Sequence, residues 1–225
     1  MVEKKDISRV HTSKEEAKKF YDRISGSYDW FGGIFERRPA EKALDYLKIQ
    51  SGETVLEIGF GTGCCLRRMA ISVGNSGKAC GIDISEGMAQ RAIERLNKAH
   101  LLDRIELYQG DAAKLPFDDE TFDAVFVSFT LELFDSPEIP EVLGEVRRVL
   151  NPGGRLGLVS LSKTNIDSLP VRIYEWIHRK WPQYVDCRPI YVDESVQKAG
   201  YKIIMRETTR LMILPIETVV AIKDA

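Results

Sequence analysis

The chain has 225 residues, with 32 Lys and Arg against 34 Asp and Glu and a formal net charge of -2. This balance gives no long-range field for holding nucleic acid, so we expect no nucleic-acid partner. The first residues carry no apolar stretch and no run of about 18 apolar residues occurs, so we expect a cytoplasmic protein without a membrane span. Four cysteines without paired spacing predict neither a metal site nor a disulfide framework.

The N-terminal part predicts helices, and the part that follows predicts strands alternating with helices. The first helix begins at a capping box of Thr12 and Glu15 and ends near Gly26. A second helix is predicted over 39–47. Strands are predicted over 54–58, 78–84, 105–109, 122–129 and 155–161. Further helices are predicted from the turn after the first strand to about residue 73, and over 86–100 and 136–150. Such alternation implies crossover connections and a mostly parallel sheet with helices on both faces.

The last third departs from this alternation. Helices are predicted over 169–181 and 192–199, and strands over 201–210 and 216–223. The two strands are joined too closely for a crossover helix, which implies an antiparallel pair. The predicted fold class is therefore α/β, a Rossmann-like doubly wound sheet of seven strands, mostly parallel with one antiparallel strand near the C-terminus.

No repeat or flexible linker divides the chain, so we expect a single domain over 1–225. Within it we expect three parts. They are an N-terminal helical cover (1–50), a ligand-binding core (51–162) and a lid with the C-terminal strand pair (163–225).

Ligands of open α/β sheets bind outside the carboxyl ends of the strands. The glycine-rich turn over 59–63 follows the first predicted strand, and its spacing fits a dinucleotide fingerprint only in part because position 64 is Cys. Three strand ends carry the acids Glu57, Asp83 and Asp111. An acid beside the turn would repel a pyrophosphate but attract a ligand with an ammonium and a sulfonium. The predicted cofactor is therefore S-adenosylmethionine.

Two of these acids have predicted contacts with that ligand. The carboxylate of Asp83 is suited to accept from both ribose hydroxyls. Asp111 can accept from the adenine amino group, while the backbone N–H of Ala112 donates to a ring nitrogen.

Four ordered motifs resemble those of the class I S-adenosylmethionine-dependent methyltransferases, with greatest similarity to the ubiquinone/menaquinone biosynthesis C-methyltransferases. The motifs are VLEIGFGTG at 55–63, GIDIS at 81–85, QGDA at 109–112 and LNPGGRL at 150–156. Tyr21-Asp22 and Tyr28-Asp29 are similar to the opening segment of that family. Residues 30–38 depart from its pattern, which leaves the acceptor open.

The resemblance implies which residues hold the cofactor. Tyr21 and Tyr28 are expected to fold over its methionyl end, and Ile84 and Met88 either sandwich the adenine or belong to the ordinary core. The full implied set is Tyr21, Tyr28, Glu57, Gly59, Gly61, Thr62, Gly63, Asp83, Ile84, Met88, Asp111, Ala112 and Ser128.

We therefore expect a methyltransferase that acts on a small or lipidic acceptor, such as a quinol or phenol ring carbon. Two alternatives stay open: an NAD(P)-dependent reductase, disfavoured by Glu57 and Cys64, and a protein that binds S-adenosylmethionine without catalysis. No catalytic residue is assigned, although His178 and Tyr191 are candidates for a base. The predicted helix over 169–181 mixes basic and aromatic residues, so at most peripheral membrane contact is expected. The oligomeric state is not predicted.

Overall fold

The computed structural model describes residues 9–10, 12–31, 33–163 and 187–224, together with Val171, Ile173, Tyr174, Trp176 and Lys180. The helices with defined bounds are α1 (Lys14–Ile24), α2 (Tyr28–Phe31), α3 (Gly33–Leu47), α4 (Cys64–Val73), α5 (Glu86–Lys98), α6 (Glu138–Val149) and α7 (Val192–Lys198). The strands are β1 (Thr54–Ile58), β2 (Lys78–Asp83), β3 (Ile105–Gln109), β4 (Phe122–Ser128), β5 (Leu150–Leu161), β6 (Tyr201–Leu211) and β7 (Leu214–Lys223).

The seven strands form one sheet in the order β3-β2-β1-β4-β5-β7-β6. Strands β1 to β5 pair in parallel, and β7 runs antiparallel to both β5 and β6. The predicted seven-stranded sheet with one antiparallel strand near the C-terminus is therefore confirmed. The chain builds outward from β1 to β3 and then resumes on the other side of β1 with β4. This reversal of strand order is where ligands of such sheets bind.

Alternate residues of the strands enter two separate apolar cores, one on each face of the sheet. Leu56 and Ile58 of β1 belong to a core that α6 and α7 cover, while Val55 belongs to a core covered by α3, α4 and α5. This alternation follows from the two-residue period of a strand. Both faces are therefore covered, and the ligand site is left at the carboxyl edge. Among the described residues, no helix has the length and apolar character needed to cross a membrane.

The N-terminal helices differ from the prediction in two ways. The capping box is formed by Ser13 and Glu16, because the Ser13 hydroxyl accepts the Glu16 N–H at 3.3 Å and the Glu16 carboxylate accepts the Ser13 N–H at 2.8 Å. The prediction of Thr12 and Glu15 was wrong by one residue, since both pairs have capping-box spacing. The predicted start of the second helix was also wrong. Pro39 lies inside α3, which begins at Gly33, although proline is usual in the first turn of a helix.

The predicted helix over 169–181 is described only in part. Val171, Ile173, Tyr174, Trp176 and Lys180 are helical there. His178, one of the two candidate bases, lies outside the described residues.

Candidate active site

A cavity of about 830 Å³ lies at the carboxyl edge of the sheet, between the strand ends and the N-terminal segment with α1. Its volume falls in the range of about 300–1,000 Å³ usual for small-molecule sites. Ten of the thirteen residues implied by the resemblance line it: Tyr21, Tyr28, Gly59, Gly61, Asp83, Ile84, Met88, Asp111, Ala112 and Ser128. The other three, Glu57, Thr62 and Gly63, are not among its lining residues.

The glycine turn after β1 uses its glycines for different purposes. Gly59, Gly61 and Gly63 all have positive φ, at 69°, 52° and 77°, which residues with a Cβ rarely adopt. A Cβ on Gly59 would also lie 2.2 Å from Oγ1 of Thr130, whereas a Cβ on Gly61 would meet no atom within 4 Å. Gly59 is therefore required by packing, and Gly61 leaves open space beside the cavity.

Asp83 at the end of β2 holds this turn in place. One carboxylate oxygen accepts the Gly61 N–H at 2.8 Å, and the other accepts the Ser85 N–H at 2.9 Å. Burial raises the pKa of Asp83, while these backbone N–H groups act in the opposite direction. The Ile84 N–H also bonds this carboxylate, which has about four lone-pair sites. Asp83 therefore keeps acceptor capacity for ligand hydroxyls without releasing the turn.

Glu57 lies behind the turn and is only 3% exposed. Its carboxyl bonds the Leu66 N–H, and Oε2 has no hydrogen-bond partner among the described residues. Burial, and then the charge of Asp83, raise the pKa of Glu57 well above its ordinary value. The neutral form is therefore favoured at this position. The expectation that Glu57 carries a negative charge beside the glycine turn is therefore not favoured by its burial.

Thr62 joins the glycine turn to α2 and α5. Its hydroxyl donates to Asp29 Oδ1 at 2.7 Å and accepts from Arg95 at 2.8 Å. Arg95 also pairs with Asp29 and contacts Cys64 Sγ. Both members of the Asp29–Arg95 ion pair therefore bond the Thr62 hydroxyl.

Asp22 fixes α1 to the start of α5. Its Oδ1 accepts from the Ser85 hydroxyl at 2.6 Å and from the Gly87 N–H at 2.9 Å. The same Ser85 hydroxyl accepts the Met88 N–H and caps α5. In each Tyr-Asp pair of the N-terminal segment, the tyrosine thus lines the cavity and the aspartate anchors the cover. Sequence reasoning assigned only the tyrosines; the repeated Tyr-Asp dipeptide was the available signal.

Lys14 lines the cavity together with Asp111 and Glu138. Its ammonium lies 2.5 Å from Asp111 Oδ2 and 2.7 Å from Glu138 Oε1, while Asp111 Oδ1 accepts the Ala113 N–H. Nearby, Arg9 pairs with Asp135 at 2.6 Å. Asp111, which we expected to accept from the adenine amino group, therefore has a partner within the chain at each of its two oxygens. Sequence reasoning missed Lys14, which is 97 residues from Asp111.

A buried polar cluster lies beside the cavity wall, where β5 ends. Glu132 is fully buried; its Oε1 accepts the Leu161 N–H at 3.2 Å, and Oε2 has no partner among the described residues. Burial raises the pKa of Glu132 to about 8. Its chain neighbour Leu133 lines the cavity. Glu132 is therefore a buried acid with one unpartnered oxygen, one residue along the chain from the cavity lining.

Two basic residues, Arg188 and Lys163, are also buried. Arg188 donates to the Phe134 carbonyl and to the Ser136 hydroxyl, and burial lowers its pKa to about 10. The Lys163 ammonium lies 6.0 Å from the ring centroid of Tyr191, the second candidate base. Tyr191 is not among the residues that line the cavity.

Comparisons with known proteins show what this chain is similar to. A family model described as a methyltransferase domain matches residues 55–154. The demethylmenaquinone methyltransferase of Listeria welshimeri is 34% identical over 161 residues, which span 70% of this chain and 67% of that protein.

Two solved structures extend the likeness to nearly the whole chain. A SAM-dependent methyltransferase from Aquifex aeolicus is 25% identical with a TM-score of 0.61, covering 93% of this chain and 98% of that chain. The [4+2]-cyclase SpnF has a TM-score of 0.75 at 18% identity, with 95% and 97% covered, and shares the fold alone.

Proposed function

This chain belongs to the class I S-adenosylmethionine-dependent methyltransferases, and we propose that it methylates a ring carbon of a lipidic quinol or phenol. The donor assignment depends on the cavity in which Asp83 binds the glycine turn at the carboxyl edge. The acceptor class is supported by the likeness to a protein named demethylmenaquinone methyltransferase. The reductase and non-catalytic alternatives are not favoured, because the matching family and that relative are methyltransferases.

We assign the donor's parts to the residues that line the cavity. Asp83 accepts from the ribose hydroxyls, Asp111 and the Ala112 N–H receive the adenine edge, and Tyr21 and Tyr28 cover the methionyl end. The open space beside Gly61 fits a ligand that approaches the backbone closely. When bound, S-adenosylmethionine supplies a methyl group on a sulfonium for in-line displacement. Lys14 then shares Asp111 with the adenine or withdraws from it.

The chain contributes chiefly alignment and exclusion of water. The cover over the cavity is anchored on both sides, through Asp22 at α5 and through Lys14 at Asp111. Closing this cover over the reacting groups keeps solvent from the sulfonium. Because the donor already carries its leaving group, no covalent intermediate with the protein is needed.

A ring carbon that gains a methyl group must lose a proton, and we assign that proton to Glu132. Its pKa of about 8 is close to the range in which a general base works best. The Leu161 N–H orients one carboxyl oxygen and leaves the other available. Its chain neighbour Leu133 lines the cavity, and Glu132 itself is fully buried behind that wall.

The proposal is tested by methyl transfer from labelled S-adenosylmethionine to separated lipid and water-soluble cell fractions. We expect the label in the lipid fraction, on a ring carbon of the product identified by mass spectrometry. Asp83→Ala should abolish transfer, while Asp45→Ala, which removes an exposed surface acid paired with Arg68, should keep it. Label confined to the water-soluble fraction would reject the lipidic acceptor.

A further inference from the structure

The hairpin between β6 and β7 ends in two exposed apolar side chains, Met212 and Ile213, which we call the hairpin tip. They are 72% and 66% exposed, more than any other large hydrophobic side chain among the described residues. Removing apolar side chains of this size from water is favourable. Exposed neighbouring apolar residues at a protruding turn are typical of surfaces that meet a partner or a membrane.

The pairing register puts this tip at the same edge of the sheet as the cavity. Leu161, the last residue of β5, lies opposite Ile216, and Leu211 lies opposite Leu214. The hairpin therefore continues beyond the end of β5 by at least two residues, or roughly 7 Å at the usual rise of a strand. The tip projects past the edge at which Gly59, Asp83 and Asp111 lie.

A third apolar side chain lies at this edge. Lys42 of α3 pairs with Glu207 of β6 at 2.6 Å, and the Leu47 carbonyl at the end of α3 bonds Arg155 near the start of β5. The helix therefore runs from the carboxyl edge towards the amino edge. Phe35, seven residues before Lys42 and about 10 Å along the helix, is 51% exposed.

The charge near the tip is positive. Arg210 on β6 and Arg38 on α3 are exposed and have no ion-pair partner among the described residues. The acids of the hairpin strands are already matched, since Glu207 pairs with Lys42 and Glu217 with Arg206. A partner that meets this edge therefore encounters apolar side chains together with unpaired cations.

We propose that the hairpin tip docks on the surface of an anionic lipid bilayer. Apolar side chains that enter the headgroup region beside cations that meet anionic lipids are the two elements of peripheral membrane binding. Docking through Met212, Ile213 and Phe35 turns the carboxyl edge, and with it the cavity, towards the lipid. The benefit of docking rests on the proposed lipidic acceptor, but docking itself is measured without any acceptor.

Sedimentation with vesicles tests the docking directly. Vesicles of phosphatidylcholine mixed with phosphatidylglycerol should bind the wild-type protein, and vesicles of phosphatidylcholine alone should bind it more weakly. The double substitution Met212→Ser with Ile213→Ser should lower binding at least about tenfold, because two apolar side chains no longer leave water. Arg210→Gln should reduce binding to the anionic vesicles and leave binding to the phosphatidylcholine vesicles unchanged.

Ile204→Ser is the matched control. Ile204 is 54% exposed on the same strand, β6, but is eight residues from Met212, so its variant should bind as the wild type does. Equal binding by the wild type and the double variant would overturn the proposal, as would equal loss in Ile204→Ser. A wild-type dimer that the double variant dissociates, without vesicle binding, would show that the tip joins two copies instead.

Vesicle sedimentation and the label-transfer assay together separate this proposal from the proposed function. Vesicle binding without any labelled lipid product would keep the docking and reject the acceptor. A labelled lipid product without vesicle binding would do the reverse.

Discussion

Asp83 Oδ2 accepts the Gly61 N–H at 2.8 Å, so the acid at the end of β2 fixes the glycine turn after β1. Its other oxygen accepts the N–H of Ser85, whose hydroxyl caps α5. One carboxylate therefore positions two of the elements that surround the cavity. The same carboxylate is our candidate for the ribose, so its substitution should affect both stability and binding.

Asp83→Ala should lower the affinity for S-adenosylmethionine at least about a hundredfold, because two charge-assisted hydrogen bonds are lost at about 1.5–3 kcal/mol each. It should also lower the free energy of unfolding by about 1–3 kcal/mol, since the turn loses its acceptor. Asp83→Asn should be intermediate in both. Titration calorimetry and thermal unfolding measure the two effects. Unchanged affinity in a folded Asp83→Ala protein would contradict the ribose assignment.

Gly59→Ala and Gly61→Ala should separate folding from binding. The Gly59 substitution forces a Cβ to 2.2 Å from Thr130 Oγ1 at positive φ and should destabilise the fold by several kcal/mol. The Gly61 substitution meets no atom within 4 Å and should cost only about 1 kcal/mol of backbone strain. It should nevertheless weaken S-adenosylmethionine binding at least about tenfold, because the methyl group occupies ligand space. Equal effects of the two substitutions on stability would show that Thr130 yields easily.

Much of this arrangement could be predicted from local sequence signals. Buried apolar runs such as 54–58 mark the strands, and the acids and glycines that follow them mark the site. Strand residues alternate between two apolar cores, so a strand can be identified from neighbouring residues alone. The predicted bounds differ from the structure where two patterns overlap, as at Thr12 and Ser13, or where a proline lies inside a helix, as in α3.

The contacts that anchor the cover could not be predicted in this way. Lys14 reaches Asp111 across 97 residues, and Asp22 reaches Ser85 across 63. Such pairs leave no periodic pattern, because a single charged side chain on an exposed helix face usually points to water. The burial of Glu57 was missed for a related reason, since its type indicates charge while its environment favours the neutral form.

Asp22→Ala should loosen the cover without unfolding the core. Losing the bonds to the Ser85 hydroxyl and the Gly87 N–H removes the anchor between α1 and α5. Amide hydrogen exchange should therefore become faster over 14–24, while residues 54–58 of β1 keep their protection. S-adenosylhomocysteine should slow exchange of the cover in the wild type and less so in the variant.

Glu15→Ala is the control for helix propensity, because it changes an exposed residue in the first turn of α1 and leaves Asp22 in place. It should leave exchange over 20–24 close to the wild-type rate. If exchange over 14–24 is equally slow with and without ligand in all three proteins, α1 is a fixed part of the core and the ligand enters by another route.

Glu132→Gln should change the dependence of both stability and rate on pH. Burial raises the pKa of Glu132 from an ordinary value of 4.5 to about 8 in the folded protein. The folded state therefore holds this proton between pH 4.5 and about 8 while the unfolded state has released it. The stability due to the neutral carboxyl is complete below the unfolded pKa and is lost as the pH rises towards the folded pKa.

Relative to the Gln variant, the wild-type free energy of unfolding should thus decline by up to about 1.4 kcal/mol per pH unit across that window. If Glu132 takes the acceptor proton, the wild-type methyl-transfer rate should rise with pH to a plateau above about 8, and the Gln variant should lose at least about a hundredfold in rate. Denaturant unfolding and single-turnover rates, both measured between about pH 5 and 9, test the two effects. Glu120→Gln, at an exposed position near Lys223, should change neither. A Gln variant that gains stability at high pH but keeps the wild-type rate profile would make Glu132 a buried structural acid and place the base elsewhere.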